Sequence, residues 1–181
     1  LADSTALDTL AEFGPYRFEV FGEAAFAPAP GTIRNTSSSA LYAGLIDTFF
    51  TDNGLNTLSS PESYRVDFYT RDSNQFSQSL PASSVYLSMG TQNEALNLTW
   101  QEDVPWNNTS YVVYRSLDNG AVFDSLTTVE TASYLDTGLI NDSNYCYYVE
   151  SYGAYTLAEL ANDTLINKSQ RICGIPIDTI P

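Results

Sequence analysis

The sequence predicts an all-β chain made of two tandem antiparallel sandwiches, the first lacking its N-terminal strands. Three observations carry that prediction. Phe50-x-Asp52-x-Gly54-Leu55 followed by Tyr64-x-Val66-x-Phe68 recurs in kind as Tyr134-x-Asp136-x-Gly138-Leu139 followed by Tyr145-x-Tyr147-x-Val149. Each copy reads as an alternating strand, a turn with Asp and Gly, a buried Leu and a second strand opened by a Tyr, and such repetition points to repeated structural units. Around Trp100, apolar and polar residues alternate with the period of two that a half-buried strand requires. At 181 residues there is room for two domains of roughly 90 residues, expected at 1–87 and 88–181.

The second module reads strand by strand. Glu94-Ala95-Leu96-Asn97-Leu98-Thr99-Trp100 puts Leu96, Leu98 and Trp100 on one face, and Pro105 ends that strand's reach because proline cannot donate to a ladder. Tyr111-Val112-Val113-Tyr114-Arg115 is the next strand. Asp118-Asn119-Gly120 supplies a tight turn, with Gly accepting positive φ at low steric cost. The chain returns over 121–127, forms a short strand over 132–135 and a long one over 144–151. Residues 168–177 close the sheet.

The first module matches only from its third strand onward. Phe18-Glu19-Val20-Phe21 lies where Tyr111-Val112-Val113-Tyr114 lies in the second. The spacing from Phe18 to Phe50 exceeds that from Tyr111 to Tyr134, and the excess falls in the Pro/Ala-rich stretch 24–31, a loop insertion. Nothing before Phe18 supplies an alternating strand with a Trp, and residues 1–13 read as connector. The missing strands are therefore expected upstream of Leu1, and with no initiator Met or signal peptide the chain reads as an excerpt. One sheet face is then expected to lie uncovered, an association hazard. Ser84-Val85-Tyr86-Leu87-Ser88 is expected to close the first module and run straight into the second, giving a stiff pair.

The strand order, with its Trp strand, Leu turn and Tyr strand, resembles the fibronectin type III (immunoglobulin-like) sandwich. In that family an early-strand Trp packs in the core, and a Leu and a Tyr form the corner that pins the two sheets. Those positions are Trp100, Leu139 and Tyr145 here. A wider resemblance rests on Tyr145-Cys146-Tyr147-Tyr148-Val149, on the run from Leu165 to Pro181, on Gly14-Pro15-Tyr16-Arg17 and on Val104-Pro105-Trp106. These are similar to gliding-motility-associated surface proteins of Bacteroidota, large secreted chains of tandem modules exported by a type IX system through a C-terminal sorting domain. The resemblance implies an extracellular, cell-surface location, neighbouring modules of the same chain as partners, and the type IX machinery as a partner through a sorting domain absent from these residues. It also implies O-glycosylation at Asp-Ser/Thr-aliphatic triplets, which makes Thr9, Ser125, Thr164 and Thr179 candidates.

Charge and residue types narrow the chemistry. The formal net charge of -15, with a single lysine, Lys168, repels phosphate backbones and anionic lipid, so no nucleic acid is expected as a partner. No apolar run approaches the roughly 18 residues of a membrane span. There is no histidine, which removes the commonest general base and the usual zinc and triad constellations. Asp52-Asn53-Gly54 and Asp118-Asn119-Gly120 lack the spaced oxygen ligands of a calcium loop and read as turns. No catalytic residue, metal or cofactor is expected.

Aligning Tyr64 with Tyr145 and Ser77-Gln78 with Ser169-Gln170 sets Cys146 opposite Arg65 and Cys173 opposite Pro81. The two cysteines vanish from the first module together, which favours a bond between them over free thiols or metal use. Alternation leaves Tyr148 and Tyr152 on the outer face with Tyr114 beside them. That trio could stack on a glycan ring, or be cross-strand packing. The expectation is a non-catalytic structural or spacer pair of a secreted surface protein in adhesion or gliding. The alternative is a carbohydrate-binding or accessory module of an extracellular enzyme, with surface glycans as partner.

Overall fold

A computed structural model describes residues 13–26, 31–47, 49–71, 74–117, 119–157 and 164–178. They fall into two compact units, one reaching Asn56 and resuming from Glu62 to Ser83, the other taking Thr57–Pro61 and continuing from Ser84. The division thus lies after Ser83, four residues before the expected one. Val85 and Leu87 are apolar and sit almost fully buried in the second unit's core, so the segment opens that unit and does not close the first.

The second unit begins with β6 (Tyr86–Gln92) and β7 (Ala95–Gln101), counting from the five strands of the first unit given below. It continues through β8 (Asn107–Ser116), β9 (Asp124–Val129), β10 (Ser133–Thr137), β11 (Tyr145–Ala154), β12 (Leu165–Lys168) and β13 (Ile172–Gly174). One sheet has the order β10-β7-β6. The other runs β12-β11-β8-β9, with β13 also pairing with β11. Alternation dictates what faces inward: Leu96, Leu98 and Trp100 from β7 meet Val113 from β8 and Tyr145, Tyr147 and Val149 from β11 in one buried cluster. This is a fibronectin type III-like sandwich, an all-β fold as the sequence predicts.

The closing stretch is two short strands and not one, and Ser169 and Gln170 interrupt it for a reason. Ser169 Oγ accepts from the Val149 amide, while the Gln170 side chain accepts from the Leu87 amide and donates to the Leu87 carbonyl. These bonds, with an isolated parallel bridge from Ser169 to Val85, tie this segment to both sheets.

The first unit has β1 (Tyr16–Glu23), β2 (Thr32–Ser39), a 3-10 turn at Tyr42–Gly44, β3 (Ser63–Thr70), β4 (Asn74–Gln78) and β5 (Ala82–Ser83). All five strands belong to one sheet of order β2-β1-β3-β4, with β5 on β3. A small aromatic core gathers Tyr16 and Phe68 beneath Phe18, Tyr42 and Leu45. The expected strand around Phe50-x-Asp52 does not form, and Leu55 is only half-buried. Its counterpart β10 exists because it pairs with β7, from Ser133 opposite Thr99 to Thr137 opposite Ala95. Among the described residues of the first unit no strand corresponds to β7, so the segment has nothing to ladder against.

Pairing registers correct the alignment of the two units by two residues. Val20 faces Val66 as Val113 faces Val149. Ser79 Oγ accepts from the Val66 amide while the Ser79 amide donates to the Val66 carbonyl, and Ser169 does both for Val149. Tyr64 is therefore the counterpart of Tyr147 and not of Tyr145. Equal-period strands make such a slip invisible in sequence, because it keeps every residue on its face.

Trp100 is 3% exposed and meets Tyr111 edge to face at 5.3 Å between ring centroids. Trp100→Ala should lower the unfolding free energy of the second unit by about 3–5 kcal/mol, and Trp100→Phe by less. Denaturant melts followed by circular dichroism measure both; equal losses would contradict a packing role.

Candidate functional site

The outer aromatic trio is placed by strand parity. Tyr148 on β11 sits directly opposite Tyr114 on β8, and their rings stack at 4.5 Å with 12° between planes. From β12, on the other side of β11, Lys168 Nζ lies 3.8 Å from the Tyr148 ring centroid and pairs with Glu150 Oε1 at 3.2 Å. Tyr152 donates its hydroxyl to Glu150 Oε2 at 3.0 Å. Phe123 tilts against Tyr148 at 4.9 Å. Burial, then the Glu150 charge, pushes the Tyr114 phenol up to about 12.

Of the two readings of the trio, this arrangement is cross-strand packing at Tyr148. Tyr148 is 8% exposed, flanked by a ring from one strand and a cation from the other, so it offers no face to a glycan. Of the trio, Tyr114 and Tyr152 keep partial exposure. The first unit repeats the device without tyrosine stacking. Arg65, the counterpart of Tyr148, lies 4.8 Å from the Phe21 centroid and pairs with Asp67 at 2.8 Å, and Arg17 covers Tyr69. Alternating aromatic, cationic and acidic side chains knit adjacent strands in both units.

Inside the second sandwich, a carboxylate joins the two sheets. Asp136 on β10 accepts from Arg115 Nη1 at 2.9 Å and from the Tyr147 hydroxyl at 2.8 Å. Asp136 is 3% exposed and Tyr147 fully buried. Burial, then the bonded Asp136, raises the Tyr147 phenol far above its ordinary value. In the first unit Tyr64 donates to Asp52 at 3.0 Å, and Arg34 approaches Asp52 at 3.7 Å. Burial, then the hydrogen bond to Asp52, pushes Tyr64 up to about 12.

The corner residues lie where the core needs them. Leu139 is buried, its amide donating to the Glu94 carbonyl, and the Tyr145 hydroxyl accepts from the Ile140 amide at 3.0 Å. Sequence reasoning missed Asp136, Arg115 and Glu102. The signal was present for the first two: Asp136 shares its face with Tyr134, and Arg115 shares its face with Val113. Glu102 Oε2 accepts from Ser151 Oγ at 3.0 Å and Asn167 Nδ2 at 3.2 Å, tying β11 to β12. Burial raises its carboxyl above the ordinary range, partly offset by these hydrogen bonds.

Cys146 and Cys173 face each other across β11 and β13, with an S–S distance of 2.02 Å and Cα atoms 4.0 Å apart. The corrected register sets them against Ser63 and Ser83, which face each other across β3 and β5 and are almost fully buried. Arg65 and Pro81 are not their counterparts. One unit closes this rung with a covalent bond; the other sets two small buried serines there, Ser63 Oγ donating to the Glu23 carbonyl at 3.5 Å. Of the glycosylation candidates, Ser125 and Thr164 are exposed, while Thr9 and Thr179 lie outside the described residues, as does Asp118 of the Asp-Asn-Gly turn. Among the described residues no group of three or more His, Cys, Asp or Glu side chains is arranged to hold a metal.

A largely apolar groove of about 500 Å³ lies on the inner face of the first unit's sheet. Phe18, Val20, Tyr64 and Val66 form its floor, and Phe49 and Phe50 one wall.

No family model and no curated protein sequence matches the chain. Solved structures of similar shape include the sixth fibronectin type III domain of human fibronectin type III domain containing protein 3, at 14% identity over 54% of this chain and 88% of that one, TM-score 0.40. The FN1–FN3 domains of chicken CNTN1 align at 11% identity over 92% of this chain and 55% of that one, TM-score 0.39. A beta-1,2-glucanase from Parabacteroides distasonis aligns at 16% identity over 93% of this chain, TM-score 0.41, and the chain spans only 28% of it. Likeness at this level adds nothing to the fold, which stands on strand order and register.

Two outcomes are expected. Because folding raises the Glu102 carboxyl above its unfolded value, the contribution of this group is fully present below the ordinary carboxylate range and is lost as pH rises through the raised value. Against the non-titrating Glu102→Gln, the wild type should therefore gain stability on going from pH 7 to pH 4; urea melts showing a constant gap would refute this. Replacing Cys146 and Cys173 together by Ser recreates the rung of the first unit. The doubly substituted chain should fold and lose about 3 kcal/mol for a cross-link spanning 27 residues, read from denaturant midpoints.

Proposed function

We propose that this chain is a non-catalytic structural segment of a secreted cell-surface protein, two sandwich modules in series that space or present other domains in adhesion or gliding. The observation that carries the reading is where the ionisable groups go. Asp136, Glu102 and Glu150 each bind side chains of neighbouring strands, so they act as fasteners between elements. A cross-strand disulfide fits an oxidising, extracellular setting. The resemblance of the terminal run to gliding-motility-associated proteins supports export by a type IX system, with neighbouring modules of the same chain as partners. Exposed Ser125 and Thr164 fit glycan attachment. The coverage of Tyr148 weighs against the carbohydrate-binding alternative.

Small-angle scattering tests the spacer. A short connection between modules predicts one narrow distribution of inter-module distances; a broad distribution from two independently tumbling bodies would remove the spacer reading. A glycan array that yields a ligand sensitive to Tyr152→Ala would do the same for the non-binding part.

A further inference from the structure

The chain carries the triplet Asp-Asn-Gly twice, at Asp52-Asn53-Gly54 and at Asp118-Asn119-Gly120. Asparagine is a chemically labile residue, and most of all before glycine. With no Cβ in the way, the glycine nitrogen can reach the side-chain carbonyl carbon of the asparagine. Identical triplets have like intrinsic reactivity, but the structure separates them. At the second triplet both reacting groups are held. The Gly120 amide, which would be the nucleophile, donates to Ser116 Oγ at 3.1 Å. The Asn119 carboxamide oxygen accepts from Asn144 Nδ2 at 2.8 Å. A Cβ placed on Gly120 would lie 3.6 Å from both Cys146 Sγ and the Phe123 ring, so this side is already packed. At the first triplet, Asn53 and Gly54 are exposed and belong to no strand. Among the described residues neither the Asn53 carboxamide nor the Gly54 amide has a hydrogen-bond partner. A Cβ placed on Gly54 would meet nothing within 4 Å. The φ angles of Gly54 and Gly120, 78° and 85°, are alike, so the glycine backbone is not what differs.

We infer that Asn53 is a site of non-enzymatic modification, converting through a cyclic imide to isoaspartate and aspartate, and that Asn119 is protected from it. In the first step the Gly54 nitrogen gives its proton to a solvent base and bonds to Asn53 Cγ. The Cγ–Nδ2 bond breaks, and the nitrogen takes a proton from solvent and leaves as ammonia. Water then adds to one of the two imide carbonyls. Breaking the bond between the ring nitrogen and Cγ leaves aspartate. Breaking the bond between that nitrogen and the Asn53 main-chain carbonyl leaves isoaspartate, whose main chain runs through the former side chain. No electrons are exchanged, and water is the only co-reactant.

Either product sets a new carboxylate beside Asp52, which accepts from the Tyr64 hydroxyl at 3.0 Å and lies 3.7 Å from Arg34. Isoaspartate also lengthens the main chain directly after Asp52. The Tyr64–Asp52 tie of the first unit is therefore the contact that the modification disturbs. The matching Tyr147–Asp136–Arg115 network of the second unit stays as it is. The inference stands apart from the spacer reading, which makes no use of Asn53 or Gly54.

Peptide mapping tests it. The folded chain, its disulfide intact, is incubated at neutral and at mildly alkaline pH and then digested with trypsin. The triplets fall in separate peptides, one between Arg34 and Arg65 and the other between Arg115 and Lys168. Mass spectrometry with fragmentation that tells isoaspartate from aspartate follows each site. Isoaspartate should build up at Asn53 about tenfold or more faster than at Asn119, where two hydrogen bonds must first break. The Asn53 rate should rise with pH, because the attacking group is the deprotonated amide. In the reduced chain unfolded in urea the two rates should converge. Ser116→Ala, checked for folding by circular dichroism, should speed Asn119 and leave Asn53 unchanged. Equal rates in the folded chain overturn the inference, as does an Asn53 that stays unmodified while folded. So does aspartate forming with no isoaspartate, since no imide then intervenes. A rate gap that persists in urea, or a folded Ser116→Ala that leaves Asn119 as slow as before, overturns it too, because the held groups are then not what protects.

Discussion

A sheet that is apolar on one face has to have that face covered, and everything distinctive here follows from how each unit meets that requirement. In the second unit Trp100, Leu98 and Leu96 of β7 lie across Val113, Tyr147 and Val149, and burial of this area supplies the main drive to fold. The three-stranded sheet exists because this surface holds it down; β10 exists because β7 is there to pair with. In the first unit the same floor is built, but the described residues cover only its end near Tyr16 and Phe68.

Polar side chains fix the geometry that burial leaves loose. The Tyr147–Asp136–Arg115 network crosses between sheets, and Tyr64, Asp52 and Arg34 recur in the first unit. Ser79 and Ser169 occupy matching places beside Val66 and Val149. Such groups are directional where apolar contacts are not, and once buried they are costly to leave unpaired. They hold the register that the period-two pattern alone cannot fix. The outer faces add ladders of aromatic and charged residues, Tyr114–Tyr148–Lys168 in one unit and Phe21–Arg65–Asp67 in the other.

The fold class was legible because alternation around Trp100 and Tyr145 is strong and local. The disulfide was legible because both cysteines go missing from the other copy together. The register was not: sliding one copy by two residues preserves every in-or-out assignment, so Tyr64 matched Tyr145 as readily as Tyr147. Nor was the missing strand near Phe50, since strand formation there depends on a distant partner and not on its own residues. Tyr148 was read rightly as facing outward. Its coverage by Lys168, twenty residues along the chain, is a tertiary fact that alternation does not contain.

The Cys146–Cys173 rung and the Ser63–Ser83 rung stand at one place in two copies of a single design. The thiol-free copy reaches its final covalent state as soon as its strands pair, whatever the redox poise around it. The other is complete only once an oxidant has taken two electrons from it. Maturation of this chain is thereby split between a half indifferent to redox conditions and a half that depends on them.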